Sequence, residues 1–351
     1  MEQRTRTAPR TAFVTGGSGF VGARLIARLV AGGWSVRALG RSDGALAKVA
    51  ALGAEPVRGD LTDRQALMAG MRGCKVVFHG AAHFKLWGPR ALFDRINVGG
   101  TRAVVAAAGA TPEVRRVVMA SAAAVVMGRP EPMHSVREDA PLRFERYAPY
   151  STSKACAERL LLEANGTRAG LETIAIRPPF LWGAGMPTLD EMVHAVAAGR
   201  FQWVGGGGQA MSTCHVDNLC HALMLAAERG RGGEAYFVSD GRDATLKGVI
   251  APLLATRGVD PGERAVPFGA AWALAGVMGF VWRALRLQGE PPITRQMLRL
   301  IGKDFTIDIA KAESELGYSA VVGWEQGLAE MRGGVPEPAP AAPSAGQAAA
   351  G

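Results

Sequence analysis

The stretch Thr15-Gly16-Gly17-Ser18-Gly19-Phe20-Val21-Gly22 constrains the fold of this 351-residue chain more than any other. It follows the apolar run Ala12-Phe13-Val14 and leads into Ala23 to Val30, where Leu25, Ile26, Leu29 and Val30 recur at helical spacing. The order is strand, tight turn, helix. Gly16, Gly19 and Gly22 fit a dinucleotide-binding turn. One permits the turn, one lets backbone N–H groups approach a pyrophosphate, and one lets the helix pack on the strand. Phe20 and Val21 complete the turn, and the helix N-terminus adds partial positive charge toward an anion. With 46 glycines in the chain the pattern is weak alone. Its place at the first strand-to-helix junction gives it weight.

Strand and helix then alternate. Trp34 to Leu39, Val76 to His79, Arg116 to Ala120 and Leu171 to Arg177 read as short buried strands, with helices at Arg102 to Ala108 and Ser153 to Leu160. This predicts an α/β fold, a doubly wound parallel sheet covered on both faces. Beyond Pro178 the regularity breaks, so a smaller C-terminal substrate lobe is expected. The expected organisation is a frayed tail at 1–10, a nucleotide-binding core over 11–180, a lobe over 181–332 with late elements of the core, and a disordered Pro/Ala-rich tail at 333–351.

The formal charge of +9 raises nucleic acid as a partner, but the arginines are scattered and no aromatic-basic motif accompanies them. No nucleic-acid partner is expected. Four cysteines make no disulfide framework and the N-terminus lacks a secretory apolar stretch, so a cytoplasmic location is expected. Ala265 to Trp282 carries no charge, and Arg283 and Arg286 follow it. Its glycines and proline weaken a spanning helix. Peripheral membrane contact through 265–286, contact with an apolar substrate, and a buried core helix remain open.

Tyr150-Ser151-Thr152-Ser153-Lys154 places a phenol and an ammonium on one helical face. A nearby ammonium stabilises a phenolate and lowers its pKa toward a useful range for proton transfer. Tyr-x3-Lys is common by itself; behind a dinucleotide turn it is far more specific. Together with Gly59-Asp60-Leu61, His79-Gly80-Ala81-Ala82, Asn97-Val98-Gly99-Gly100-Thr101, Ile176-Arg177-Pro178-Pro179 and His215-Val216-Asp217-Asn218, in that order along the chain, these motifs resemble the extended short-chain dehydrogenase/reductases over roughly residues 11–330.

That resemblance implies a Rossmann-type core binding NAD(P). Asp60 and Leu61 would contact the adenine, Ala81 and Ala82 would line the cofactor, Lys154 would hold the nicotinamide ribose, and Pro178 would lie near the nicotinamide. Asn97 resembles the family's helix-kinking or water-holding Asn. The family carries a Ser or Thr after the strand Arg116 to Ala120 that orients the substrate oxygen; here position 122 is Ala, and Ser121 is the nearest hydroxyl. Tyr150, Lys154 and Ser121 are therefore the expected catalytic group. At the end of the second strand Gly40-Arg41 stands where NAD-preferring members carry an acid. Arg41, with Lys48 beyond it, suits a 2′-phosphate, so NADP is favoured over NAD. Cys214-His215 and Cys220-His221 lack zinc-ligand spacing and no metal site is expected.

His83 to Pro89 and the segment Pro291 to Tyr318 resemble the 3β-hydroxysteroid dehydrogenase-like branch. This implies hydride exchange with a secondary alcohol or ketone of a bulky apolar, sterol-like small molecule. A nucleotide-sugar epimerase or dehydratase is the alternative, with His194, Arg200 and Arg242 available for a second diphosphate; a catalytically impaired NAD(P)-binding protein is a third, on account of Ala122. A homodimer is compatible with the sequence but not required by it.

Overall fold

The computed structural model describes residues 10–128 and 131–333. The tails expected at 1–10 and 333–351 lie outside them, apart from Arg10 and Gly333. The main sheet has seven strands: β1 (Thr11–Thr15), β2 (Ser35–Gly40), β3 (Glu55–Arg58), β4 (Val76–His79), β5 (Arg116–Ala120), β6 (Glu172–Arg177) and β7 (Ala235–Phe237). Their spatial order is β7-β6-β5-β4-β1-β2-β3 and every pairing is parallel.

Side-chain alternation along these strands builds two apolar layers. Ala12 and Val14 of β1 join Leu25, Ile26 and Leu29 of the helix Phe20–Ala31 and Leu219, Leu223 and Ala226 of Val216–Arg229. Phe13 points the other way, among Leu67, Val104, Ala107 and Leu161 of the helices Arg64–Met71, Gly100–Ala110 and Pro149–Glu163. The strand order reverses between β1 and β4, and in open parallel sheets ligands bind at that switch, outside the carboxyl ends of the strands.

Two strands cross the boundary expected near residue 180. Met133–Val136 pairs with Phe305–Ile307 in a second sheet that also holds Ala210–His215, Asp243–Thr245 and Phe180–Trp182. In return, β7 closes the main sheet. The lobe is completed by the helix Phe268–Ala284 packed on Arg295–Ile301. Ala271, Ala275 and Gly279 turn inward, whereas Leu274, Val277 and Phe280 stand exposed, Phe280 at 71%. The apolar stretch is thus half packed rather than a core helix. No helix among the described residues is long and apolar enough to cross a membrane.

Candidate active site at the switch point

The turn after β1 is locked by close backbone approach. Gly16 has φ +76°, and a Cβ there would lie 2.6 Å from the amide nitrogen of Ala81, in the loop after β4. A Cβ on Gly22 would overlap the carbonyl oxygen of Gly16. Gly16 therefore makes the turn and admits the β4 loop, and Gly22 lets the helix seat against it. Gly19 is exposed, donates its N–H to Gly16 O at 3.0 Å and begins the helix. This bare, amide-lined rim at a helix N-terminus fits a pyrophosphate. Phe20 and Val21 anchor the turn, packing on the clusters around Trp182 and Leu25 respectively.

A directed chain of hydrogen bonds ties this turn to the β4 loop and the helix beyond. Thr101 Oγ donates to Asn97 O at 2.7 Å, so it accepts from His79 Nε2 at 2.9 Å. His79 Nδ1 is then the acceptor, and Thr15 Oγ donates to it at 2.8 Å while accepting from the Ala81 N–H at 3.4 Å. Burial, aided by the Lys154 ammonium, pushes His79 down to about 3, so the ring stays neutral and this tautomer persists. Asn97 sits in a π-helical turn, Asp94–Gly99. Its side chain accepts from His83 N at 2.7 Å and donates to Ser153 Oγ at 2.9 Å, clamping the β4 loop to the helix Pro149–Glu163.

Tyr150 and Lys154 lie on that helix, both buried. The edge of one ring meets the other where Phe84 covers Tyr150, centroids 5.0 Å apart, and the phenol has no hydrogen-bond partner among the described residues. Lys154 Nζ donates to the carbonyl of Ala120, at the end of β5, at 2.7 Å. Burial pushes the Tyr150 phenol up and the Lys154 ammonium down to about 8. The expected lowering of the phenol by Lys154 is therefore absent from the free chain: burial dominates, and the phenol keeps its proton.

Ser121 lies at the end of β5 and is bonded away from Tyr150. Its hydroxyl donates to Glu158 Oε2 at 2.5 Å, and Glu158 is clasped by Arg177, with Nη2 2.6 Å from Oε1. All three residues are buried, so the one hydrogen-bond donor of Ser121 is engaged by an internal ion pair and the hydroxyl has only acceptor capacity left. No hydrogen bond joins it to Tyr150. Pro178 is buried beside this strand end and accepts from Ala123 N at 2.8 Å. Around the rim, Asp60 accepts from the Thr62 N–H and hydroxyl at 2.7 and 2.6 Å, which hold its carboxyl below the usual range, with a smaller contribution from Arg41. Leu61 packs over Gly100, while Arg41, Lys48 and Ala82 are exposed.

A dinucleotide turn, a Tyr and Lys on one buried helical face and a clamped β4 loop thus meet at one end of the sheet. The family model for the 3-beta hydroxysteroid dehydrogenase/isomerase family matches residues 13–267. The chain belongs to that family. It is accordingly an NAD(P)-dependent oxidoreductase of the extended short-chain type. It is 44% identical to a 4-hydroxy-2-methyl-3-oxo-4-farnesyl-3,4-dihydroquinoline-1-oxide ketoreductase of Stigmatella aurantiaca, covering 91% of this chain and 95% of the relative. A sterol-4-alpha-carboxylate 3-dehydrogenase of Dictyostelium discoideum is 30% identical over 92% of this chain and all of its own. Among solved structures, a dTDP-glucose 4,6-dehydratase double mutant from Streptomyces venezuelae with NAD bound superposes with a TM-score of 0.70 at 25% identity, covering 92% of this chain and 95% of that one.

Several residues of this family site escape a motif reading. His79 and Thr101 stood within recognisable motifs, but their hydrogen-bond chain needs the fold. Ser153 and Phe84 stood inside matched segments with no role attached to them, and Glu158 carried no signal. His215, Asp217 and Glu330 approach one another within 4.8 Å, yet Arg24 and Arg28 already pair with the two acids. Cys214 and Cys220 take no part in that group.

Proposed function

We propose that the chain reduces a ketone on a bulky apolar molecule, with Tyr150 as the proton donor. The supporting observation is Tyr150, a buried residue whose hydroxyl keeps its proton and has no partner among the described residues, on the helix whose Lys154 reaches the end of β5. When bound, the nicotinamide supplies the hydride. Tyr150 delivers a proton to the carbonyl oxygen, and the Lys154 cation stabilises the phenolate left behind. Ser121 acts through Glu158 as a positioning residue, so no side-chain hydroxyl shares the substrate oxygen with Tyr150. Gly16, Gly19, Phe20, Val21 and Gly22 would hold the pyrophosphate, Asp60 and Leu61 the adenine and Lys154 the nicotinamide ribose, with Ala81 and Ala82 lining the cofactor and Pro178 near the nicotinamide. Arg41 and Lys48, exposed beyond β2 with no acid at Gly40, favour NADP over NAD.

The two relatives, by their names a farnesylated-quinoline ketoreductase and a sterol-carboxylate dehydrogenase, support an apolar ketone. A panel of steroid and long-chain 3-oxo substrates, read by loss of NADPH fluorescence, tests this. Oxidation of NADPH by at least one is expected; none at all would overturn the reading. The alternative of a nucleotide-sugar enzyme rests on the likeness to the dehydratase. It requires nicotinamide retained through purification and turnover without added cofactor.

We also propose that the exposed face carrying Leu274, Val277 and Phe280, with Leu285, Arg283 and Arg286 at its end, rests on anionic lipid. Vesicles with phosphatidylglycerol should pellet the chain and neutral vesicles less; equal recovery with both, or none with either, contradicts it.

A further inference from the structure

The helix Pro149–Glu163, which carries Tyr150 and Lys154, begins without a capping side chain. Its N-cap residue is Ala148, Pro149 has no N–H, and the bond from Thr152 N to Ala148 O, at 3.0 Å, closes the first turn. The N–H of Ser151 therefore needs a partner from outside the helix. Gln296, on the lobe helix Arg295–Ile301, supplies it. Its Oε1 accepts from Ser151 N at 3.2 Å, and its Nε2 donates to Ser151 Oγ at 2.9 Å. Both residues are fully buried. The backbone donor fixes which end of the amide is the oxygen.

The peptide unit gripped in this way is the one that follows Tyr150. Its carbonyl, Tyr150 O, accepts from Ser153 Oγ at 2.8 Å, and Ser153 Oγ accepts in turn from Asn97 Nδ2. One peptide plane is thus held at its oxygen from the nucleotide half and at its N–H from the lobe. The Cα of Tyr150 belongs to that plane. Thr294 caps the lobe helix through Met297 N at 3.0 Å and so fixes Gln296 in its first turn. One turn on, Arg299 donates to the carbonyls of Ala124 and Met127, which share an apolar cluster with Tyr150. The same short helix holds the start of the Tyr150 helix and part of its apolar surroundings.

We infer that Gln296 is a positioning residue for proton delivery: it grips the peptide unit after Tyr150 and so sets where the phenol stands. The inference rests on the reading of Tyr150 as proton donor. Gln296 acts through Ser151 and touches no reacting atom. A neutral amide suits the task, because it pairs a buried donor and a buried acceptor without bringing a charge beside the phenol.

Gln296→Met keeps the length of the side chain and removes both hydrogen bonds. The full chain is labelled with 3-fluorotyrosine at its four tyrosines, and Tyr150→Phe assigns the Tyr150 fluorine resonance. In Gln296→Met that resonance should move or split while those of Tyr236 and Tyr318 stay in place. The unlabelled variant, with a ketone that the wild type reduces, should transfer hydride about tenfold or more slowly in a single turnover. NADPH affinity and KM for the ketone should stay within about twofold of the wild type. An unmoved Tyr150 resonance or a wild-type rate in the folded variant overturns the inference. So does a loss in which all four resonances move together or NADPH affinity falls with the rate, because that marks general loosening. If Gln296→Met does not melt cooperatively, Gln296→Asn, which keeps the amide and draws it back by one methylene, is read against the same outcomes. Turnover of Tyr150→Phe, measured in parallel, separates the two claims. If Tyr150→Phe loses turnover and Gln296→Met does not, this inference falls and the proton-donor reading stands; if Tyr150→Phe keeps turnover, both fall.

Discussion

The two ends of the site are built differently. Around the glycine turn, polar groups are consumed internally: Ala81, Thr15, His79, Thr101 and Asn97 form one directed chain, and Ser121, Glu158 and Arg177 form another. In the lobe, the contacting helices Phe268–Ala284 and Arg295–Ile301 leave Trp282 Nε1, Arg295 Nε and two nitrogens of Arg299 buried and unpaired among the described residues, and one of the helices exposes an apolar face. The nucleotide half also leaves Trp34 Nε1, Arg168 Nε and Thr173 Oγ1 buried without a partner among the described residues, so the contrast concerns the turn and the β4 loop, whose polar groups are tied to one another. A turn that meets the same cofactor every time is served by such fixed internal bonds, whereas a substrate lobe has no single partner to be built around.

If the nucleotide half is a finished network, breaking it should unfold the protein. Glu158→Ala leaves Arg177 buried and unpaired and should cost about 3–5 kcal/mol in urea unfolding. A loss below about 1 kcal/mol would show that the network is not structural. Gly16→Ala, with its Cβ forced onto Ala81, should cost about 1–3 kcal/mol and weaken NADPH binding, measured by fluorescence titration. Unchanged binding would dissociate the turn from the cofactor.

The Lys154 ammonium sharpens the comparison by pH. Folding lowers it from 10.5 to about 8, so it is ionised below that value and neutral above it. Ketone reduction, which needs the cation beside the incipient phenolate, should fall as pH rises through about 8. Stability runs the other way: between about 8 and 10.5 the unfolded chain binds the extra proton, so the wild type gains stability over Lys154→Met as pH rises there. A flat difference would contradict the buried placement of Lys154. The smallest effect is expected in the lobe. Phe280→Ser should change stability by less than about 0.5 kcal/mol while reducing recovery on anionic vesicles.

Much of the nucleotide half was legible in the sequence because its demands are local. Gly16 and Gly22 are dictated by a turn within eight residues, and Tyr150 and Lys154 share a face by helical geometry. β3 escaped because it is a short, mostly exposed edge strand carrying Pro56; β7 was expected only as an unplaced late element of the core, because it arrives from the far side of the lobe. The bond of Ser121 to Glu158 is not legible for the same reason: Glu158 lies a helix away, and motif position says nothing about where a hydroxyl points. The upward push on Tyr150 depends on burial, which spacing does not report. Arg299 is one arginine among many until the fold withdraws it from water.

The account turns on Tyr150 as proton donor, and Tyr150→Phe tests this most directly. The substitution removes one oxygen that holds nothing else in the described chain, so folding and NADPH binding should be preserved. With a ketone that the wild type reduces, hydride transfer followed in a single turnover should fall by at least about 100-fold, with NADPH affinity unchanged. A single-turnover rate within a few-fold of the wild type would contradict the account.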